Sequence, residues 1–215
     1  MTKPNVLLIL TDDQRFDTIQ AWGYSQMKTP NLDRLVRRGL SFRQAHIPGG
    51  TSGAVCMPSR AMLMTGRTLF HLEGEGQSIP TEHVQIGEVF QANGYQAYGT
   101  GKWHNGTSSY TRNFSCGDHV FFGGMWDHWN VPTCSYDASG RYDNRVNVIS
   151  NFYLSNRRES VHCDAIQPGC HSSDLLADAT LAFLDRQPLD EPFFAYTAFL
   201  APHDPRSMRS EERRV

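Results

Sequence analysis

Acidic, basic and cationic side chains follow three predicted strands of this chain. They are Asp12 and Asp13 after a strand predicted over residues 5–10, Lys102 and His104 after a strand predicted near residue 98, and His203 after the apolar run 193–201. In an open α/β sheet, ligands bind outside the carboxyl ends of the strands. Three separate strands that deliver such groups to one edge therefore predict an active site there.

Each of these groups has a simpler explanation when it is taken alone. Two adjacent aspartates after a strand are most often a turn with a helix cap, and the functional alternative is a site for a hard divalent cation, which would neutralise their mutual repulsion. A single histidine in a chain with nine is most often structural or exposed, and a single lysine usually lies on the surface. The prediction of a site rests on their common position.

A second candidate group surrounds Cys56, in the segment CMPSRAMLMTGR over residues 56–67. Pro58 suits the first turn of a helix, and the positive end of the helix dipole favours a thiolate or another anion at position 56. Arg60 lies one helical turn further, so its guanidinium can reach back towards that group. A nucleophile, a helix terminus and an arginine together describe an oxyanion-binding site. The simpler alternative is a buried cysteine before a helix.

The motif C-x-P-S-R followed by T-G-R resembles the signature of the type I sulfatases, the formylglycine-dependent family of the alkaline-phosphatase-like superfamily. Other sulfatase landmarks are matched in order along nearly the whole chain: the aspartate pair after the first strand, TPNLD over residues 29–33, GKWH over 101–104 and PHDP over 202–205. The resemblance implies a sulfuric ester hydrolase with a mostly parallel central sheet flanked by helices. It also implies a partner, the formylglycine-generating or other sulfatase-maturing enzyme that converts Cys56 to formylglycine.

The same resemblance assigns the metal and the nucleophile. Asp12 and Asp13 would bind calcium or magnesium together with the formylglycine at position 56, and the metal would hold a sulfate oxygen. One hydroxyl of the hydrated aldehyde would attack sulfur and give a covalent sulfo-enzyme. The second hydroxyl would allow sulfate to leave and the aldehyde to form again.

The resemblance also gives roles to four cationic or basic residues. Arg60 would stabilise the formylglycine. Lys102 and His203 would bind the sulfate and assist the departing alcohol, and His104 would help to take the proton of the remaining hydroxyl. The reaction requires this concentration of cations because negative charge must be held on the sulfuryl group and on its leaving oxygen.

The substrate is less well determined than the reaction. Residues 125–130 (MWDHWN) combine aromatic and polar groups that can stack on sugars and hydrogen-bond to them, although two tryptophans that pack a long loop explain the pattern equally well. We favour a sulfated carbohydrate and leave an aryl or choline sulfate open. The alternatives are a phosphonate or phosphate monoester hydrolase on the same scaffold and an inactive truncated remnant.

Alternating strand and helix patterns predict an α/β fold. Helices are expected from Thr29 and Pro30 to Gly39, over 58–64 with a stop at Gly66, over 83–93, and from Ser172 or Ser173 to Pro188; strands are expected over 5–10, 40–45, 95–98, 119–122 and 193–201. A Gly-rich loop is expected over 47–55 and an elaborated loop region over 105–171. No linker marks a second domain.

The single predicted domain, residues 1–215, is expected to be incomplete. Sulfatases complete the metal site with a further Asp and Asn and add another lysine well downstream of the His203 motif, whereas this chain stops 12 residues after it. The smaller C-terminal domain of the family is also missing. We therefore expect the N-terminal catalytic portion of a longer sulfatase, or a truncated gene product.

Composition limits the remaining function classes. The chain has 215 residues, a formal net charge of −2 and 39% apolar residues, which excludes wholesale disorder and argues against a nucleic-acid binder with a broad basic face. No apolar run approaches the roughly 18 residues of a membrane span. No signal peptide is recognised, so the expected location is cytoplasmic by default, and periplasmic or secreted if the N-terminus is incomplete.

Cysteines and glycosylation sequons carry weaker signals. Five cysteines are too sparse for a disulfide scaffold, and no C-x-x-C pair indicates a zinc site. Cys163 and Cys170 could pair in an exported protein. Asn105 and Asn113 stand in N-glycosylation sequons, which matter only in a secreted eukaryotic protein.

Overall fold

A parallel four-stranded sheet lies at the centre of the computed structural model, which describes residues 3–47, 55–149 and 158–209. The strands are β1 (Val6–Leu10), β2 (Gln96–Lys102), β3 (Cys116–Phe121), β4 (Pro132–Thr133), β5 (Arg145–Ile149), β6 (Arg158–His162), β7 (Ala165–Ile166) and β8 (Phe193–Ala198). The sheet has the order β1-β8-β2-β3, and two small antiparallel pairs, β4 with β7 and β5 with β6, lie outside it. The predicted α/β fold with a mostly parallel sheet is confirmed.

All helices that the described residues form lie between β1 and β8 in chain order. They are α1 (Pro30–Arg38), α2 (Cys56–Thr65), α3 (Ile86–Ala92), α4 (Thr107–Asn113) and α5 (Ser172–Arg186), with short 3-10 turns at Phe16–Thr18, Gln20–Trp22, Leu69–His71 and Glu73–Gly76. Helix α1 ends at Gly39, as predicted. Helix α2 begins at Cys56 and not near Pro58, which makes the cysteine part of the first helical turn.

Several predicted boundaries are wrong. Helix α3 is shorter than the predicted 83–93, and its capping box at Gln85 marks the start. Helix α5 is capped by His171, whose ring accepts a hydrogen bond from the Ser173 amide, and not by Ser172 or Ser173 themselves. The predicted Gly-rich loop over 47–55 lies largely outside the described residues.

The strand predicted over residues 40–45 is absent from the described part of the chain. Leu40 is 83% exposed and Phe42 is 75% exposed, so neither side chain packs against the core. A strand needs a paired neighbour, and β1 pairs with β8 instead. The alternation of apolar residues over 40–45 is therefore not a strand signal here.

The region from 105 to 171 is more ordered than predicted. It contains α4, the two antiparallel strand pairs and β3, the last of which begins three residues before the predicted 119–122. Tyr110 of α4 and Phe114, the residue that follows this helix, pack edge-on against Trp103, with ring centroids 5.7 and 5.6 Å away. These aromatic contacts fix the chain beyond β2 onto the sheet.

The register of the sheet brings three strand ends together. Leu10 of β1 and Gly101 of β2 both pair with Ala198, the last residue of β8. All six residues of β8 are buried, as expected of a central parallel strand, although the strand ends at Ala198 and not at Ala201. The chain segments that follow these three strands therefore leave the sheet side by side.

Gly101 allows β2 to turn its last residue towards this edge. The backbone there has a φ of +88°, and a Cβ at this position would lie 2.0 Å from the carbonyl oxygen of Ala198. The pairing with β3 shifts register between Thr100 and Gly101. A side chain at position 101 would prevent this close approach, so glycine sets the orientation of Lys102.

Among the described helices, none is long and apolar enough to cross a membrane.

Candidate active site

A cavity of about 430 Å³ opens at the carboxyl edge of the sheet. Its walls come from the ends of two strands, the first turns of α2 and the loop after β3: Leu10, Thr11, Asp12, Asp13, Val55, Cys56, Ser59, Arg60, Leu63, Met125, His203 and Asp204. The sequence prediction that groups after separate strands converge on one place is confirmed for Asp12, Asp13 and His203. Cys56 and Arg60 join them from α2.

Asp12, Arg60 and Lys102 form a buried ion cluster beneath the cavity. Their side chains are 7%, 2% and 0% exposed. One carboxylate oxygen of Asp12, Oδ2, accepts a hydrogen bond from Lys102 Nζ and lies 3.5 Å from Arg60 Nη2. Two cations thus share one buried carboxylate, so loss of the carboxylate would leave two buried positive charges without an anion.

Backbone carbonyls and a tyrosine hold the two cations in place. Arg60 Nη1 donates to the carbonyl oxygen of Lys102 at 2.8 Å and to the hydroxyl oxygen of Tyr196 at 2.7 Å. Lys102 Nζ also donates to the carbonyl oxygen of Gly124. Arg60 Nε is buried and has no hydrogen-bond partner among the described residues. The geometry of Arg60 is therefore fixed from β8 and β2.

Tyr196 was missed by sequence reasoning. It is 1% exposed in the middle of β8, a strand whose other residues are apolar except for Thr197. The signal was present, because a tyrosine in an otherwise apolar buried strand needs a partner for its hydroxyl. Which partner it finds depends on α2, more than a hundred residues away in the sequence.

Cys56 occupies the first position of α2 and faces the cavity as a free, half-buried thiol. Ligand atoms of Asp12, Cys56 and His203 all lie within 4.8 Å of one another. The helix directs its unpaired amide groups and its positive dipole end towards this group, and Arg60 follows one turn later. This arrangement can hold an anion or a metal ion.

Asp13 lies at the rim of the same cavity and not within that close group. Its side chain is exposed, and its backbone adopts the left-handed region with a φ of 61°, which Asp tolerates. The structure therefore separates the aspartate pair into a buried and an exposed member. A turn and a cation site are both compatible with this geometry.

His203 stands in the irregular segment after β8. Its Nδ1 lies 2.9 Å from the carbonyl oxygen of Asp204 and must donate to it, so Nε2 is left for a ligand. Two hydrogen bonds fix the preceding backbone: the Asp12 amide donates to Ala201, and the His203 amide donates to Leu200. The loops after β1 and β8 are thereby tied together.

His104 has a lowered pKa of about 4, chiefly because burial penalises the imidazolium and also because Lys102 and Arg60 repel it. Its Nδ1 is buried without a partner among the described residues. A Cβ on Gly124 would lie 2.8 Å from His104 Cε1, so the ring packs tightly on that loop. The imidazole is neutral near pH 7 and can accept a proton.

Lys102 and His104 do not belong to the described lining of the cavity. Lys102 is the last residue of β2 and its ammonium group lies against Asp12, and His104 follows the strand two residues later. The ammonium group of Lys102 donates to Asp12 and to the carbonyl oxygen of Gly124. Its positive charge therefore lies next to Asp12, outside the residues that line the cavity.

The tryptophan-rich segment 125–130 mainly packs its own loop. Trp126 Nε1 donates to the carbonyl oxygen of Asn130 at 2.8 Å, and Trp129 lies edge-on to His171 with ring centroids 5.1 Å apart. From this segment, Met125 is the residue that lines the cavity. The packing interpretation of the two tryptophans is the one that these contacts support.

His128, in the same segment, supports His203 from behind. Its ring is 2% exposed, with Nδ1 2.8 Å from Ser172 Oγ and Nε2 3.1 Å from the carbonyl oxygen of His203. Because a carbonyl oxygen only accepts, Nε2 must carry the proton. Sequence reasoning did not identify this role, and no local pattern indicates it.

The structure also shows the surroundings of the two sequon asparagines and of the cysteines. Asn105 and Asn113 are fully buried, and their amide groups bond to Met57 and Gly76 and to Met64 and Gly87, so neither sequon is accessible in the folded chain. All cysteines are free thiols, including Cys163 and Cys170. Burial raises the pKa of both of these thiols.

The family model named Sulfatase matches residues 4–213. The chain belongs to the sulfatase family. This sulfatase chain is 29% identical over 222 residues to arylsulfatase A of Homo sapiens, covering 94% of the chain and 42% of the relative. It is 28% identical over 222 residues to N-acetylgalactosamine-6-sulfatase of Homo sapiens, covering 94% of the chain and 40% of the relative. The chain thus spans about two fifths of the length of these relatives.

Solved structures share the fold of this sulfatase chain. BT4656 in complex with its substrate D-glucosamine-2-N,6-O-disulfate superposes with a TM-score of 0.71 at 20% identity, over 94% of this chain and 35% of the other. The phosphonate monoester hydrolase of Agrobacterium radiobacter superposes with a TM-score of 0.65 at 20% identity, over 97% of this chain and 43% of the other. At this level of identity the likeness establishes the alkaline-phosphatase-like architecture alone.

Proposed function

We propose that this chain carries a large part of the active site of an enzyme that hydrolyses a sulfate monoester, on a carbohydrate substrate. The observation that carries the proposal is the meeting of Asp12, Cys56, Arg60 and His203 around one cavity. Membership of the sulfatase family supports the reaction. A relative named N-acetylgalactosamine-6-sulfatase supports a sugar as the alcohol.

The donor set fits a hard divalent cation when position 56 offers oxygen. Asp12 and Asp13 contribute carboxylates at the cavity, whereas the thiol of Cys56 is soft and suits calcium or magnesium poorly. Conversion to formylglycine replaces that sulfur with oxygen, so we propose calcium or magnesium for the converted protein. When present, the cation polarises a sulfate oxygen, and the hydrated formylglycine supplies the hydroxyl that attacks sulfur.

The chain's own residues orient the sulfate and compensate its charge. In its doubly protonated form, His203 donates from Nε2–H to the sulfate or to the leaving oxygen, while Nδ1–H stays bonded to the Asp204 carbonyl oxygen. Arg60 lies one turn from position 56 and stabilises the group there. Lys102 adds positive charge from beneath Asp12, where low exposure strengthens its effect on a bound anion.

His104 is the proposed proton acceptor. Its lowered pKa, about 4, keeps the ring neutral at pH 7, so it can take a proton from a hydroxyl group at position 56 only transiently and releases it readily. The cations that lower this pKa are Lys102 and Arg60, so the same charges that attract sulfate keep the base available. The two functions thus depend on one electrostatic environment.

Mass spectrometry of the peptide that contains Cys56 tests the first step. The chain is produced with and without a formylglycine-generating enzyme, and we expect conversion at position 56 only when that enzyme is present. The peptide that contains Cys116, another half-buried cysteine, is the control and should stay a thiol. A thiol at position 56 in both samples would contradict the proposal.

Turnover of an aryl sulfate and an aryl phosphonate tests the reaction class, in protein that contains the complete natural chain and a converted Cys56. We expect faster hydrolysis of the sulfate and a loss of roughly 100-fold in His203→Ala, because a preorganised group at the anion is removed. Faster turnover of the phosphonate would favour a phosphonate hydrolase. Absence of both activities together with absence of saturable calcium binding would identify an inactive remnant.

A further inference from the structure

We propose that the chain with Cys56 still in its thiol form binds a borderline-soft divalent metal, zinc in preference to calcium, through Asp12, Cys56 and His203. The proposal goes beyond the function proposed above because it concerns the unconverted cysteine. It holds whether or not the protein hydrolyses a sulfate ester. No local spacing of cysteines and histidines, such as C-x-x-C, indicates this site.

Three different parts of the fold supply the three donor atoms. Asp12 follows β1, Cys56 opens α2 and His203 follows β8, and their ligand atoms lie within 4.8 Å of one another. A carboxylate oxygen, a thiolate sulfur and an imidazole nitrogen are the ligands that zinc takes in proteins. Zinc sites with three protein ligands keep a fourth position open, and here that position faces the cavity.

His203 is already oriented as a metal ligand. A ligating histidine usually donates its second ring nitrogen to a carbonyl or carboxylate, which fixes the ring and its tautomer. His203 Nδ1 donates to the Asp204 carbonyl at 2.9 Å and leaves the lone pair of Nε2 available. Its own carbonyl accepts a hydrogen bond from the buried His128 at 3.1 Å, so the backbone of the ligand is held as well.

Asp12 is oriented in the same way from the opposite side. Its Oδ2 atom is bonded to Lys102 Nζ and lies near Arg60, which leaves Oδ1 for a metal. The two cations oppose a further positive charge. The Cys56 thiolate and the carboxylates of Asp12 and Asp13 supply three negative charges at the cavity against them, so a metal ion can be accommodated.

Binding changes the bonds of Cys56 without oxidation or reduction. The S–H bond breaks, a metal–sulfur bond forms and the proton passes to solvent. The chemical state of position 56 then selects the metal, since sulfur favours zinc whereas the oxygen of formylglycine favours calcium or magnesium. Zinc on the thiol also occupies the atom that a maturing enzyme must oxidise.

Cobalt and zinc titrations of the unconverted chain test the proposal. Co²⁺ should produce a thiolate-to-metal charge-transfer absorption with the intense visible bands of tetrahedral coordination, and Zn²⁺ should displace it at stoichiometric concentration while Ca²⁺ does not. Calorimetry in two buffers should show about one proton released for each zinc bound. Zinc affinity should fall roughly 100-fold or more in Cys56→Ser and His203→Ala, since even supporting residues cost about 10- to 100-fold.

Cys170→Ser is the matched control, because Cys170 is also half-buried and stands beside a histidine, His171. We expect its zinc affinity to equal that of the unsubstituted chain. An equal loss in Cys170→Ser, an absent thiolate band, or calcium affinity that exceeds zinc affinity would overturn the proposal. Conversion of Cys56, read by mass spectrometry, is a separate result, so failure here and failure of the proposed function can be told apart.

Discussion

The two sides of the cavity are built in different ways. Beneath it, the buried ion cluster of Asp12, Arg60 and Lys102 is almost wholly excluded from solvent and is anchored to strands and a helix. At the rim, Asp13 and His203 stand on irregular segments and are partly or fully exposed. The buried charges depend on one another and are therefore expected to affect the stability of the fold, whereas the rim residues can bind a ligand with little effect on stability.

The largest expected effect comes from Asp12→Asn, which leaves Arg60 and Lys102 buried without an anion. Breaking a buried charge group by removing one partner costs about 3–5 kcal/mol of unfolding free energy. Chemical denaturation monitored by tryptophan fluorescence measures it. Asp13→Asn is the matched control at the rim, and we expect a change within about 0.5 kcal/mol. Equal losses in the two variants would remove the distinction between the buried ion cluster and the rim.

Acid should lower the free energy of unfolding through protonation of His104 in the unfolded chain. Its pKa is about 4 in the folded chain and near 6.5 when unfolded, so between these values the unfolded chain binds the extra proton and stability falls as pH falls. The loss begins below about pH 6.5 and reaches at most about 3 kcal/mol near pH 4. His104→Gln should remove this part of the acid dependence.

Unfolding free energies measured at several values between pH 7 and pH 4 provide the readout for His104. The exposed His46 serves as control, because His46→Gln should leave the acid dependence unchanged. An identical pH slope in His104→Gln and in the unsubstituted chain would show that burial of His104 does not control it.

Removal of the Tyr196 hydroxyl should have a moderate effect. In Tyr196→Phe, Arg60 Nη1 loses its 2.7 Å partner in a buried site, and we expect a loss of about 1–3 kcal/mol. Tyr136→Phe removes a hydroxyl that donates to Phe114 from a half-buried position, where water can replace it, so its loss should be smaller. Thermal and chemical unfolding of both variants compare them. The reverse order would mean that Arg60 does not depend on β8.

The smallest effect on the free energy of unfolding is expected for substitutions of His128, which contacts the segment after β8. His128→Asn keeps a polar group near the Nδ1 position and loses the bond to His203, whereas His128→Gln keeps a donor near the Nε2 position. Hydrogen exchange of the peptide over 199–209 should therefore speed up several-fold in the Asn variant and much less in the Gln variant. Equal exchange in both would show that His128 does not hold this loop.

Parts of the site were predictable because their signals are local. A proline and an arginine after Cys56 describe a helix start with an anion site, and acidic or basic groups at strand ends indicate the edge where ligands bind. The starting residue of α2 was misplaced, since the cysteine itself carries helical backbone. Helix ends depend on hydrogen bonds to other parts of the chain, which a local pattern does not contain.

The remaining parts could not be predicted because they depend on distant partners. Tyr196 acquires its role from α2, and His128 acquires its role from the segment after β8. Residues 40–45 alternate in polarity as a strand does, yet no described strand pairs with them. The same limitation applies to the two tryptophans, since Trp126 packs against Phe121 of β3 and Trp129 packs against His171, the cap of α5.

The α/β fold and the family could be predicted from the amino-acid sequence alone, because strand periodicity and short motifs are properties of neighbouring residues. Only the tertiary structure decided which of the candidate site residues face the cavity. The fold leaves Lys102 and His104 outside the described lining of the cavity. It brings ligand atoms of Asp12, Cys56 and His203 within 4.8 Å of one another. The burial of these side chains and the distances between them depend on the strand order of the sheet and on the backbone turn at Gly101. Both depend on contacts between segments that are distant in the sequence.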